Sequence, residues 1–152
     1  FKKLEPFEAH CVAYDPYIDK NSLAEFKIEL IDFEKLLQLS NIISIHLPLT
    51  NETKELINKD TFKKMTKSPI IINTSRGSII NEYDMLEAYS ENLIAGFALD
   101  VYDQEPVEKK LYEQITNDMN CILTPHIAGV TEESNFRVSK FIAESTIKFF
   151  KN

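Results

Sequence analysis

The chain has 152 residues, of which 43% are hydrophobic and 27% charged, and its formal net charge is −7. This length fits one domain with a core of usual size, and the composition excludes a disordered chain. The negative charge argues against nucleic acid and membranes as partners, because both carry anionic groups. No apolar run approaches the roughly 18 residues of a transmembrane helix, and the start of the chain is no signal peptide. Cys11 and Cys121 lie in apolar runs without a CxxC spacing, so we expect free thiols and a cytoplasmic protein.

Strand-like and helix-like segments alternate along the first third of the chain. Residues 11–14 and 28–31 predict two short strands, with a predicted turn at residues 19–22 between them. Asp32 is placed to cap a helix with a leucine face. Residues 42–45, an isoleucine-rich run, predict a third strand.

The rest of the chain continues the alternation. It predicts, in order, two helical turns, a strand, a helix and two strands, over residues 53–57, 60–65, 70–73, 81–89, 94–99 and 121–123. Thr131 opens a final helix whose apolar residues keep helical spacing, which predicts one buried stripe. Continuous apolar runs are typical of parallel strands that are buried on both faces. Alternation of this kind predicts a mostly parallel, doubly wound α/β sheet.

Three polar stretches follow predicted strands. They are NTSRG at residues 73–77, DVYDQE at residues 100–105 and TPHIAG at residues 124–129. Ligands of open α/β sheets bind outside the carboxyl ends of the strands. An arginine, a carboxylate and an imidazole on one rim are typical of a site that oxidises or reduces a small acid.

Arg76 precedes Gly77, where the backbone is expected to turn sharply. The planar guanidinium matches a carboxylate with two parallel hydrogen bonds, which lysine cannot reproduce. Taken alone, Arg76 is explained equally well as a surface residue paired with a nearby acid. Thr74 and Ser75 either satisfy the backbone of the turn or contact a bound ligand.

His126, taken alone, is more often a structural hydrogen-bonding residue than a catalyst. Glu105 changes this balance because it follows the preceding strand and is expected at the same rim. A carboxylate beside an imidazole favours the protonated ring and fixes its tautomer. Composition alone does not select Glu105 over the other acids of its stretch.

Asp15 ends the first predicted strand and has two interpretations. An aspartate before Pro16 is commonly a turn residue. In doubly wound dinucleotide-binding folds, an acid at this place accepts hydrogen bonds from ribose hydroxyls. The residue alone favours the turn.

Five motifs occur in one order over nearly all of the chain. They are LEPF and VAYDPY at residues 4–7 and 12–17, HLPLT at 46–50, INTSRG at 72–77, GFALDV and EP at 96–101 and 105–106, and TPHIAG at 124–129. In this combination the sequence closely resembles the NAD-dependent D-isomer-specific 2-hydroxyacid dehydrogenases, of the D-3-phosphoglycerate or glycerate type.

The resemblance implies an oxidoreductase that uses NAD, acts on a small 2-hydroxy or 2-oxo acid and needs no metal. Arg76 would hold the substrate carboxylate, His126 would exchange the proton, and Glu105 would be the partner of His126. The implied cofactor contacts are Asp15, Leu47, Pro48, Thr74, Ser75, Arg76, Asp100, His126 and Gly129. The full-length protein is expected to be a homodimer or larger.

The chain also departs from the family pattern. It contains neither the glycine-rich phosphate loop nor the first strand, and Glu8 stands where the family usually has glycine. We therefore expect residues 1–152 to be part of a Rossmann-like NAD-binding domain. The substrate domain is absent from the sequence, although the resemblance implies that the helix at 131–150 leads back towards it. Without the first strand, the strand at 11–14 cannot pair with the strand at 42–45. The alternatives are an NAD-sensing, corepressor-like module without catalysis and an inactive truncated fragment.

Overall fold

The computed structural model describes residues 3–18, 28–107, 113 and 118–151. The turn predicted at residues 19–22 lies outside these ranges. The regular elements are, in chain order, β1 (Val12–Ala13), β2 (Glu29–Leu30), α1 (Phe33–Leu39), β3 (Ile42–Ile45), α2 (Lys59–Lys63), β4 (Ile70–Asn73), α3 (Glu82–Ser90), β5 (Gly96–Leu99), β6 (Cys121–Leu123) and α4 (Glu132–Lys151). Two short 3-10 turns, Glu5–Phe7 and Gly77–Ile79, precede β1 and α3.

The strands form two parallel sheets. β3, β4, β5 and β6 are neighbours in that order, and every pairing between them is parallel. β1 and β2 form a separate parallel pair. Among the described residues no ladder joins β1 to β3, so the predicted break is present. The parallel α/β architecture is Rossmann-like, as predicted, and it places the residues that follow β4, β5 and β6 at one edge.

Polar side chains fix where the helices begin. The side chain of Asn81 accepts a hydrogen bond from the N–H of Asp84 (3.1 Å) and so caps α3. Thr131 Oγ1 accepts from the N–H of Ser134 (3.0 Å) at the start of α4. Asp32 occupies the predicted capping position of α1, but its side chain makes no capping hydrogen bond. The predicted starts are therefore correct, although the bond predicted for Asp32 is not formed.

One face of the four-stranded sheet forms the core. Ile43, Ile71 and Phe97 point to this face and are 6%, 0% and 1% exposed, and they pack with residues of α1, α2 and α3. The opposite face is open, since Ile42 and Ile122 are each 61% exposed. The expectation of strands buried on both faces is therefore wrong for β3, β4 and β6, where no described helix covers the second face. In β5 it is met at Gly96 and Phe97, which are buried on alternate faces. Both cysteines are free and half-buried.

α4 also lacks a covering partner. None of its residues is buried, and Phe141 and Phe149 are 70% and 76% exposed. The predicted buried stripe is wrong, because no other described element covers the apolar face of this helix. In the described part of the chain, no helix combines the length and the apolar character needed to cross a bilayer.

Glu8 has a left-handed backbone, with φ of 54°, at the end of the first 3-10 turn. Residues other than glycine adopt this region at a cost, since their Cβ approaches the backbone. Glycine, which the resemblance leads us to expect here, would adopt this conformation without that cost.

Candidate active site

A cleft of about 260 Å³ lies at the carboxyl edge of the four-stranded sheet. Arg76, Glu105 and His126 all line it. Each of the three follows a different strand, namely β4, β5 and β6, and the parallel pairing of these strands brings their ends side by side. The rest of the lining consists of Leu49, Gly77, Ser78, Val101, Tyr102 and Asp103.

Glu105 and His126 form a direct pair. Nδ1 of His126 lies 2.8 Å from Oε2 and 3.0 Å from Oε1 of Glu105. The N–H of Tyr102 donates a further hydrogen bond to Oε1 of Glu105 (3.2 Å). The bond to His126, followed by the backbone bond from Tyr102, holds the pKa of Glu105 below its usual range. An ionised Glu105 keeps a proton on Nδ1 of His126, which leaves Nε2 as the nitrogen that can exchange a proton.

Asp100 fixes the turn that carries His126. Asp100 is only 3% exposed. Its carboxylate accepts hydrogen bonds from Oγ1 of Thr124 and from the N–H groups of Ile127 (2.9 Å) and Ala128 (2.8 Å). Burial alone would raise the pKa of Asp100, but these hydrogen bonds outweigh it and lower the pKa. His126, inside this turn, has a positive φ of 54°. The contact between Asp100 and the nicotinamide half of the cofactor stays a prediction.

Asp100→Asn is expected to destabilise the full-length protein by about 1–3 kcal/mol at pH 7, because the amide leaves at least one of the three part-buried donors unsatisfied. The pKa of Asp100 is lower in the folded state than in the unfolded state, where it is about 3.9. The contribution of the ionised Asp100 to the free energy of unfolding is therefore fully present above the unfolded pKa and is lost as the pH falls through the folded pKa. Denaturant unfolding of the wild type and the variant from pH 7 to pH 3 measures this. Asp60→Asn, an exposed control on α2, should change stability less. This role would be contradicted if the wild type and Asp100→Asn were equally stable at pH 7, or if the difference in their free energies of unfolding did not become smaller in acid.

Asn73 organises the turn that carries Arg76. It is 1% exposed, and its Oδ1 accepts hydrogen bonds from both the N–H (3.1 Å) and the hydroxyl (2.9 Å) of Ser75. Its Nδ2 donates to the carbonyl of Arg76 (2.9 Å). The hydroxyl of Ser75 thus takes part in the hydrogen bonds of the turn, which is one of the two roles that the sequence suggested for Ser75. Thr74 and Arg76 are exposed, and Nη1 of Arg76 donates to the carbonyl of Ser75 (2.6 Å).

Gly77 allows the arginine turn to approach the loop that carries Glu105. A Cβ added at Gly77 would lie 1.9 Å from the carbonyl carbon of Tyr102, so any other residue would push the two backbones apart. Gly129 differs, since a Cβ added there would meet nothing within 4 Å. The first glycine is therefore required by the geometry of the site, and the second is not.

The loops after β1 and β3 lie together. Oδ1 of Asp15 accepts a hydrogen bond from the N–H of Tyr17 (2.9 Å), as expected for a turn aspartate. The Tyr17 hydroxyl donates to Glu52 (2.7 Å) and so links the turn to the loop that contains Leu47 and Pro48. Among the described residues, Oδ2 of Asp15 has no hydrogen-bond partner. This free acceptor fits a ribose hydroxyl, so the turn role does not conflict with the cofactor role.

A sequence model of the family described as "D-isomer specific 2-hydroxyacid dehydrogenase, NAD binding domain" matches residues 1–128. The chain belongs to this family. It is 36% identical to the D-3-phosphoglycerate dehydrogenase of Archaeoglobus fulgidus, over 99% of this chain and 28% of that protein. It is 38% identical to the glyoxylate reductase of Thermofilum pendens, over 99% of this chain and 44% of that protein.

Solved structures of the same family share the fold. The crystal structure of D-lactate dehydrogenase from Aquifex aeolicus, complexed with NAD and lactic acid, matches with a TM-score of 0.88 at 26% identity. The match covers 99% of this chain and 49% of that one. The chain therefore spans less than half the length of these dehydrogenases, and the resemblance noted in the sequence is confirmed.

Asn73 and Tyr102 help to shape this site, although the sequence predicted no role for either residue. Asn73 lies in the INTSRG motif, and an asparagine before small polar residues is a recognised turn signal. Tyr102 lines the cleft, and its hydroxyl donates to the carbonyl of Thr124 (2.9 Å) across β5 and β6. No sequence signal marks Tyr102, because its partner is 22 residues away along the chain.

Proposed function

We propose that the protein to which this chain belongs transfers a hydride between NAD(H) and a small D-2-hydroxy or 2-oxo acid. The observation that carries the proposal is the position of Arg76, Glu105 and His126 around one cleft, with Nδ1 of His126 held by Glu105. When bound, the nicotinamide cofactor supplies the hydride chemistry, and the protein supplies orientation and charge.

The three side chains divide the remaining work. Arg76 binds the substrate carboxylate through the two parallel N–H groups of its guanidinium. His126 gives a proton from Nε2 to the oxygen at the 2-carbon during reduction, and takes it back during oxidation. Glu105 keeps the ring of His126 in the orientation and tautomer that this exchange requires.

The cofactor contacts of this proposal lie on both sides of the sheet break. Asp15 would accept hydrogen bonds from the ribose, beside the loop that contains Leu47 and Pro48. The nicotinamide half of NAD would face Thr74, Ser75, Asp100 and Gly129. The donors for the pyrophosphate would come from residues outside this chain, so we expect the isolated 152 residues to bind NAD weakly or not at all.

Asp15→Ala is expected to relax the preference of the full-length enzyme for NAD over NADP. The carboxylate of Asp15 would otherwise repel the 2′-phosphate of NADP. A like-charge contact at 4 Å costs roughly 1 kcal/mol in bulk water and about 4 kcal/mol near a protein surface. The ratio of kcat/KM for NAD to that for NADP should therefore fall by about fivefold or more. Asp60→Ala is the matched control. An unchanged ratio would leave Asp15 as a turn residue only.

We further propose a substrate of the phosphoglycerate or glycerate type. The support is that the 36% and 38% identical relatives are a D-3-phosphoglycerate dehydrogenase and a glyoxylate reductase. The matched D-lactate dehydrogenase structures are 26% to 30% identical. The test is NADH oxidation by the full-length enzyme with phosphohydroxypyruvate, hydroxypyruvate, glyoxylate and pyruvate. One of the first two should have the highest kcat/KM. A preference for glyoxylate or pyruvate would contradict this assignment, and turnover of none of the four would contradict the proposed reaction.

The chain, in this proposal, is part of the NAD-binding domain, and residues outside it fill the space between β1 and β3. The support is the break between the two sheets, the open sheet face and the uncovered α4. The same proposal includes three points that rest on the family alone. They are the direction of α4 towards a substrate domain, a homodimeric or larger assembly, and a cytoplasmic location.

A further inference from the structure

We propose that Glu82 is a positioning residue for the redox site: it holds the loop that carries Glu105 and thereby fixes the pair of Glu105 and His126. The inference rests on the proposed function and adds a residue to which neither the sequence motifs nor the proposed mechanism gives a role.

Glu82 is a buried carboxylate at the start of α3. It is 9% exposed, and its Oε1 accepts a hydrogen bond from the N–H of Asp103 (2.7 Å). Burying an ionised carboxylate is costly unless other groups compensate for the lost water. The start of a helix is favourable for a negative charge, and the N–H of Asp103 adds a charge-assisted bond. The helix start and the N–H of Asp103 both stabilise the carboxylate at the place where α3 meets the loop after β5.

A short path of hydrogen bonds leads from Glu82 to His126. Asp103 directly follows Tyr102, whose N–H donates to Oε1 of Glu105. Both carboxylate oxygens of Glu105 in turn lie within 3.0 Å of Nδ1 of His126. A displacement of the backbone at residues 102–103 would therefore move the carboxylate that orients the imidazole.

Core packing does not hold this pair by itself. The side chains of His126 and Glu105 are 50% and 40% exposed. Their positions depend on the backbone segments that carry them, and Glu82 holds the segment on the side of Glu105. Ser78 reinforces the same segment, since its hydroxyl donates to Oδ1 of Asp103 (2.5 Å). Ser78 lies in the 3-10 turn after Arg76 and Glu82 at the start of α3. Both residues thus connect the segment that follows the Arg76 turn to the loop that carries Glu105.

The test compares Glu82→Ala, Glu82→Gln and the control Glu87→Ala in the full-length enzyme. Glu87 lies on the same helix but is exposed and pairs with Lys59 (2.6 Å), away from the cleft. Glu82→Ala should lower kcat by about 10- to 100-fold, the order of loss that follows a misplacement of about 1 Å, with the KM for NAD little changed. Glu82→Gln keeps a carbonyl acceptor for the N–H of Asp103 and should retain most of kcat. Glu87→Ala should behave as the wild type.

Hydrogen exchange supplies a second measurement that does not depend on activity. The amide of Asp103 should exchange faster in Glu82→Ala than in the wild type or in Glu82→Gln. If Glu82→Ala does not fold, Glu82→Asp, which keeps the charge but shortens the reach, takes its place and should lose kcat while Glu82→Gln retains it.

The inference would be overturned if kcat were unchanged without the Glu82 acceptor, if Glu82→Gln lost as much kcat as Glu82→Ala, or if exchange of the Asp103 amide did not change. A wild-type enzyme that transfers no hydride would refute the proposed function, and the exchange comparison would still decide whether Glu82 holds the loop.

Discussion

Replacing His126 with alanine is expected to slow turnover of the full-length enzyme by roughly 10²–10⁴-fold, the usual contribution of a positioned acid or base. The physical reason is that Nε2 of His126 is the nitrogen left free to exchange a proton once Nδ1 is held by Glu105. Because this exchange occurs in the transition state, kcat and kcat/KM for the oxo acid should fall together. Steady-state oxidation of NADH measures both.

His10→Ala is the matched control for this experiment. His10 is also exposed, but it precedes β1 and does not line the cleft. Its removal should leave the rate unchanged. An unaltered rate at saturating substrate in His126→Ala would remove His126 from the mechanism, and a comparable loss in His10→Ala would point to a general effect on stability.

Arg76→Lys is expected to raise the KM for the oxo acid by about 10- to 100-fold, which corresponds to the roughly 1.5–3 kcal/mol of one hydrogen bond to a charged group. Lysine keeps the positive charge but loses the second parallel N–H group. The KM for NAD should change much less, since the substrate carboxylate is the group that loses a bond.

Arg137→Lys is the control, because Arg137 is the other arginine of the chain and lies on α4, outside the cleft. It should leave both KM values as they are. If Arg76→Lys changed neither KM nor kcat, Arg76 would not contact the substrate.

The sequence predicted the sheet well because the strand signals are strong and local. β3 and β6 begin and end where the apolar runs begin and end, and the carboxyl ends of parallel strands necessarily meet at one edge. The gathering of Arg76, Glu105 and His126 around one cleft follows from that topology. Their chemical roles remain proposals.

Burial was predicted less well. An amphipathic pattern indicates that one face of a helix is covered, but it does not indicate by what. The apolar face of α4 is uncovered by the described chain, as is one face of the sheet at Ile42 and Ile122. Sequence periodicity cannot distinguish a partner within the chain from one outside it.

Buried polar residues were the hardest to predict. Asp100 was identified only as a cofactor contact, whereas its carboxylate holds the backbone at residues 127–128. Glu82 lies in a helix that the sequence predicted, but its hydrogen-bond partner Asp103 is 21 residues away along the chain. Such bonds depend on how neighbouring strands end, which amino-acid composition does not predict.

The most direct test of the proposed hydride transfer is to follow deuterium from the cofactor to the product. The full-length enzyme is given NADH that carries deuterium at both positions of the nicotinamide C4, together with the best 2-oxo acid of the substrate series. We predict that the product is a D-2-hydroxy acid with deuterium at its 2-carbon, and that His126→Ala greatly slows its formation. Binding of NADH without any transfer of deuterium would contradict the proposed reaction and would favour an NAD-sensing module.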